Sequence, residues 1–300
     1  MKNSPRAVEV ATAALLICPA VALAAQTGPQ TAQGDSSLAV LAVSGALMVL
    51  VALAFVRGWQ RRSHTALRWF WAGAGIWAVG VALKSATAVL ANRRVLAVLD
   101  LHFSHAGYLA LGSLYIGLLT GIFEIGLTLL AARIWHSLTR DGRRAVAVGV
   151  GAGSFEALLL GLSAIVSVIV MAAMPGQPQI EAARAALASS VAMTPLVWLA
   201  GPVERAMAIL CHTSSRALVL MSVAKRRWSL FWYGFLIMTG IDGMAGYFHM
   251  TGAVGRISTW WIELSLLPFA ALSVPIIGWC LRHWPAERNS VAETPTQATP

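Results

Sequence analysis

Residues 145–173 read AVAVGVGAGSFEALLLGLSAIVSVIVMAA, an unbroken apolar run with one charge, Glu156. A bilayer core takes roughly 20 residues of helix, so this stretch is long enough to cross. Backbone exposed to lipid must satisfy its own hydrogen bonds, and no strand-like alternation appears, so the reading is helical. Further spans are predicted on both sides, at about 38–56, 68–91, 107–132, 203–224, 228–250 and 258–281. The composition agrees: of 300 residues, 58% are hydrophobic, 11% are charged, and mean hydropathy is +0.71. A water-soluble fold is excluded. The expected fold class is an all-α polytopic membrane bundle of seven spans plus an N-terminal signal peptide or eighth span.

Residues 1–25 carry Lys2 and Arg6, an apolar stretch and the small-residue run Ala22 to Ala25, the parts of a secretory signal peptide. Glu9 and Pro19 make the same segment a poor first span. Residues 26–37 are then an extracytoplasmic segment, 38–284 the multi-pass domain, and 285–300 a polar tail expected to be disordered and cytoplasmic.

The net charge of +10 does not point to nucleic acid, because the basic residues sit in short clusters between apolar runs. Arg57, Arg61, Arg62 and Arg68 fill the first connection. Arg133, Arg140, Arg143 and Arg144 fill the third, and Lys225, Arg226 and Arg227 the fifth. The intervening loops hold fewer, so the rich loops are expected on the cytoplasmic side. Trp59, Trp69, Trp135, Trp228 and Trp279 cluster at that boundary, while Trp198, Trp260 and Trp261 mark the other. The N-terminus after processing is thus expected outside and the C-terminus in the cytoplasm. The three cysteines, Cys18, Cys211 and Cys280, form no CxxC pair and suggest neither a disulfide nor a thiolate site.

Glu124, Glu156, Glu204, Arg205, His212, Arg216 and Asp242 all fall inside proposed spans. Each costs at least roughly 2.5–3.5 kcal/mol at a helix centre and needs a partner. Counting about 1.5 Å per residue puts Glu124, Glu156, His212 and Asp242 near one level. Small and polar residues recur on their faces: Ser113, Gly117, Gly121 and Thr128 with Glu124, Gly149 and Gly153 with Glu156, and Gly246 with Asp242. A converging polar interior is expected. Lys84 and Glu263 lie close to the outer boundary on this count and are given no role. Asp100, His102 and His105 form a D-x-H-x-x-H group whose histidines would share a face on a helix; a solvated interfacial loop is the alternative.

The order Gly-Ile-Phe-Glu124, Gly-Val-Gly-Ala-Gly-Ser-Phe-Glu156, Glu204-Arg205 with His212 seven residues on, and Asp242 resembles the bacterial YhfC family of intramembrane metallopeptidases, distant relatives of the CAAX-prenyl-protease group. The resemblance covers roughly residues 107–250. It departs from the family pattern at Ile125 and Thr128, where a second Glu and an Arg are expected, and at Ala152 and Met238, where histidines are expected. It implies a bacterial inner-membrane peptidase acting on membrane or membrane-proximal peptide segments, with Glu124 as catalytic base and Glu156, His212 and Asp242 as metal ligands. Glu204 and Arg205 would form a structural or substrate-binding polar network. With one imidazole at that depth, the divalent metal would be zinc held weakly, or Mn²⁺ or Mg²⁺. Three other readings stay open: a structural network in which Glu204 pairs with Arg205 or Arg216 and Asp242 with His212, a proton-coupled transporter, and a pseudoenzyme that holds a membrane segment without cutting it.

Overall fold

A computed structural model describes residues 33–285. The signal peptide or first span expected over 1–25, most of the segment 26–37, and the tail after 285 lie outside the described residues.

The chain forms α1 (Gln33–Ser63), α2 (Arg68–His102), α3 (His105–Thr120), a π-helical turn (Gly121–Ile125), α4 (Gly126–Ile134) and a 3-10 turn (His136–Thr139). It continues through α5 (Gly142–Ala173), α6 (Pro178–Met193), α7 (Val197–Lys225), α8 (Trp228–Met250) and α9 (Thr259–Arg282). Among the described residues, α1, α2, the continuous rod α3–α4, α5, α7 and α9 are the six helices long and apolar enough to cross a membrane. The sequence led us to expect seven. The difference is α8, whose 23 residues would reach about 34 Å but include Trp228, Trp232, Tyr233 and Asp242, which dilute its apolar character.

Helix α7 is the axis. Its apolar window is 78% buried and has the lowest mean hydropathy of the six, 1.4. A helix wrapped by protein on all sides can carry Ser214, Ser215 and Arg216 fully buried, which a lipid-facing helix could not. Helices α1, α5, α8 and α9 pack around it, α2 lies outside α5, and α3 lies against α8. The outer shell turns large apolar side chains outward, among them Leu50, Val166, Ile169 and Leu272, as a lipid-facing surface requires.

One end of the bundle collects the basic connections. There the Trp59 indole donates to the Arg143 carbonyl at 3.1 Å, and the Trp284 indole to the Thr139 carbonyl at 3.1 Å. Arg144 lies over the Trp69 ring and Lys225 over Trp279. At the opposite end, Trp260 donates to the Pro195 carbonyl at 2.7 Å.

Candidate functional site

Close backbone approach builds the interior, and glycine permits it. A Cβ on Gly149 would lie 2.5 Å from the Thr213 Cα, and one on Gly153 would lie 2.7 Å from the Ile209 Cα. Those two positions bring α5 onto α7 and leave Glu156, one turn further on, beside His212. Gly80 does the same for α2. A Cβ there would meet the Phe123 carbonyl at 3.0 Å and the Glu124 Cα at 3.1 Å, so Lys84, one turn along, reaches Glu124. Glu124 itself sits in the π-helical turn, which adds a residue to the helix and resets the faces beyond it. The Thr128 hydroxyl, in the first turn of α4, donates back to the Glu124 carbonyl of this turn at 2.7 Å.

The ionisable side chains form one continuous line. Asp242 of α8 accepts from the Thr120 hydroxyl and from Lys84 Nζ at 3.1 Å. Lys84 also donates to Thr120 Oγ1 at 3.1 Å and to Glu124 Oε1 at 2.8 Å. The other Glu124 oxygen accepts from Arg216 at 3.2 Å, and Arg216 donates its second nitrogen to His212 Nδ1 at 2.5 Å. His212 Nε2 is 2.7 Å from Glu156 Oε2, and Glu156 Oε1 accepts from Arg205 at 2.5 Å. Arg205 closes the line on Glu204.

Chemistry fixes one proton in this line. An arginine only donates, so His212 Nδ1 is the acceptor there and the ring hydrogen sits on Nε2, given to Glu156. Three cations, Lys84, Arg205 and Arg216, thus stand among four carboxylates. The centre is closed: the Arg216 side chain is 0% exposed and that of Glu124 is 3% exposed. The ends are open, with the Asp242 and Glu204 side chains 32% and 35% exposed.

The structure brings together Glu124, Glu156, Glu204, Arg205, His212, Arg216 and Asp242, which sequence reasoning singled out. Two pairings differ from those considered: Asp242 meets Lys84 and not His212, and Arg216 meets Glu124 and not Glu204. Lys84, read from the sequence as snorkelling, is instead the bridge between Glu124 and Asp242. The predicted span ended near residue 91, whereas α2 runs to His102 and puts Lys84 at its middle. Glu263 is buried as well, and its Oε2 has no hydrogen-bond partner among the described residues. The D-x-H-x-x-H group divides, because α2 ends at His102 and α3 begins at His105. His102 bonds the Val98 carbonyl at 2.9 Å, and His105 stacks on Tyr108.

Comparison with known proteins places this architecture. The family model of the YhfC intramembrane metalloproteases matches residues 47–264, more than two thirds of the chain. The chain belongs to this family. No curated protein matched it, and no solved structure matched it.

A YhfC metalloprotease implies a metal, and the donors present can be tested against that. Among the described residues no group of three or more His, Cys, Asp or Glu side chains is gathered closely enough to hold an ion. His212 and Glu156 are adjacent, but Arg216 takes the Nδ1 lone pair and Arg205 takes the second Glu156 oxygen. Glu124 and Asp242 share Lys84. Catalytic zinc takes three protein ligands with an open position, and Ala152 and Met238 stand where the resemblance led us to expect histidines. The residues present do not fit the metal: protein cations satisfy each carboxylate that would bind it.

Proposed function

We propose that this YhfC family member is a non-hydrolysing one, which holds a membrane-spanning or membrane-proximal peptide segment against its polar interior without cutting it. The observation that carries the reading is the set of three internal cations, Lys84, Arg205 and Arg216, occupying the carboxylates and the imidazole on which a hydrolytic centre would depend. The open ends at Asp242 and Glu204 supply hydrogen-bonding groups at the edge of the bundle, where a segment carrying a polar residue would find a partner. In this reading Asp242, Glu204 and Arg205 belong to the substrate-facing network, and Glu124, Glu156 and His212 hold the bundle in its binding conformation. The protein would lie in a bacterial inner membrane with α8 as a seventh crossing, its Arg- and Trp-rich end in the cytoplasm and its C-terminus on that side.

The test is a pair of assays on the full chain in proteoliposomes. Photocrosslinkers placed beside Asp242 and beside Glu204 should capture co-expressed membrane segments, while fluorogenic transmembrane peptides stay intact with or without added Zn²⁺ or Mn²⁺. Metal-stimulated cleavage that Glu124→Gln abolishes would overturn the proposal.

The unbroken line from Asp242 to Glu204 also favours a second reading, proton-coupled transport along it. Imposing a pH gradient separates the two, since a transporter gives a substrate-dependent proton flux that His212→Ala removes, and a segment-binding protein gives none.

A further inference from the structure

Where α4, α7 and α8 meet at the basic end of the bundle there is a cavity of about 250 Å³ lined by Arg133, Arg226, Arg227 and Trp228 over an apolar floor of Leu129 and Val223. The sequence explains the convergence. Only two residues, Arg226 and Arg227, join α7 to α8, so both guanidinium groups leave the backbone at the cavity mouth. Arg226 takes a left-handed conformation at φ 54°, and Arg227 N–H returns to the Ser222 carbonyl at 2.9 Å, which turns the chain sharply enough for α8 to begin at once. Arg133, at the end of α4, lies over the Trp228 ring at 4.9 Å, and its N–H groups meet no hydrogen-bond partner among the described residues.

None of these three arginines has a carboxylate partner among the described residues, in contrast to Arg205 and Arg216 of the interior. All three are exposed. Helix α8 begins at the same place, and no side chain caps its first turn. Three unpaired positive charges, with no acid in the lining, are complementary to a phosphate oxyanion. A stripe of exposed apolar side chains, Trp228, Trp232 and Leu236 at four-residue steps, leads from the cavity mouth along α8 toward the bundle middle.

We propose that this cavity is a binding site for the phosphodiester headgroup of an anionic membrane lipid, whose acyl chain lies along the Trp228–Trp232–Leu236 stripe. A free phosphate would use the arginines alone; a ligand with a hydrocarbon tail would use the stripe as well. Basic pockets between helices at a membrane boundary take such headgroups by charge, with each arginine contributing about equally.

The detergent-purified full chain, titrated with short-chain phosphatidylglycerol, short-chain phosphatidylcholine or inorganic phosphate and read by native mass spectrometry, tests this. Phosphatidylglycerol should bind at least roughly tenfold more tightly than the other two, and Arg133→Ala with Arg227→Ala should remove that preference. Arg61→Ala with Arg62→Ala, at the end of α1, should leave it intact. The lysine replacements Arg133→Lys and Arg227→Lys should keep part of it, and they guard against a general folding defect. Equal binding of the two lipids, or a preference that survives the double alanine variant, would overturn the site. Inorganic phosphate binding as tightly as phosphatidylglycerol would make it a soluble-anion site and overturn the lipid assignment.

Discussion

The arginines of the interior and those of the basic end meet opposite partners. In the interior, Arg205 and Arg216 each face carboxylates, and both are buried. At the basic end, Arg68, Arg133 and Arg144 face indole rings, and no salt bridge reaches them among the described residues. Burial makes the difference. A guanidinium removed from water must be paired with an opposite charge or it unfolds its surroundings, whereas one at the boundary keeps its hydration and can rest on an aromatic face. The interior charges therefore stabilise only as a set, and the boundary charges remain available to a ligand.

This contrast is tested most severely at Arg216. Arg216→Ala strips the cation from one Glu124 oxygen in a closed site, with Lys84 left on the other, and removes the His212 donor; it should cost about 3–5 kcal/mol, read as a lower unfolding midpoint in detergent. Arg216→Met combined with Glu124→Met should recover most of that loss, since an apolar pair of similar volume replaces the ion pair. A single variant as stable as wild type would mean that the interior pairing is not structural.

The glycine contacts come next. Gly153→Val places side-chain atoms into the Ile209 backbone and the His212 side chain, forcing α5 from α7. The expected loss is about 1–3 kcal/mol, together with a weaker Glu156–His212 contact, visible as a changed His212 ring signal in NMR.

Lys84→Met should cost less than Arg216→Ala, about 1–3 kcal/mol, because its side chain is 23% exposed and water can reach the freed Asp242 carboxylate. Lys84→Arg should retain most of the stability. A Lys84→Met protein with unchanged unfolding would return Lys84 to the snorkelling role that its sequence position suggested.

The smallest effect belongs to the boundary. Arg133→Ala removes a charge that already faces water and should change stability by no more than about 0.5 kcal/mol in detergent without added lipid.

These two regions were not equally legible in the sequence. Apolar runs predict the spans, because hydrocarbon admits few alternatives to a helix, and charged residues within those runs were visible as anomalies for the same reason. Depth along a single helix then placed Glu124, Glu156, His212 and Asp242 at one level, and these side chains fall in one network. Pairing was harder to read. Lys84 was misplaced because the span was expected to end near residue 91, before the charges of Arg93 and Arg94, whereas α2 continues for three more turns. The π-helical turn left no signal at Gly121–Ile125, since its five residues suit an ordinary helix equally well. Helix α6 forms within the stretch after residue 173 that lay between two predicted spans. Which carboxylate met which cation depended on helix neighbours, and these follow from glycine contacts between segments far apart in the chain.

The central claim is that protein cations have replaced the metal in this YhfC family member, and the metal content of the purified chain measures it most directly. The full-length protein and its His212→Ala variant, prepared side by side in detergent without chelator and analysed by inductively coupled plasma mass spectrometry, should both carry far less than one equivalent of Zn, Mn or any other transition metal. One equivalent in the wild type that disappears in His212→Ala would contradict the account.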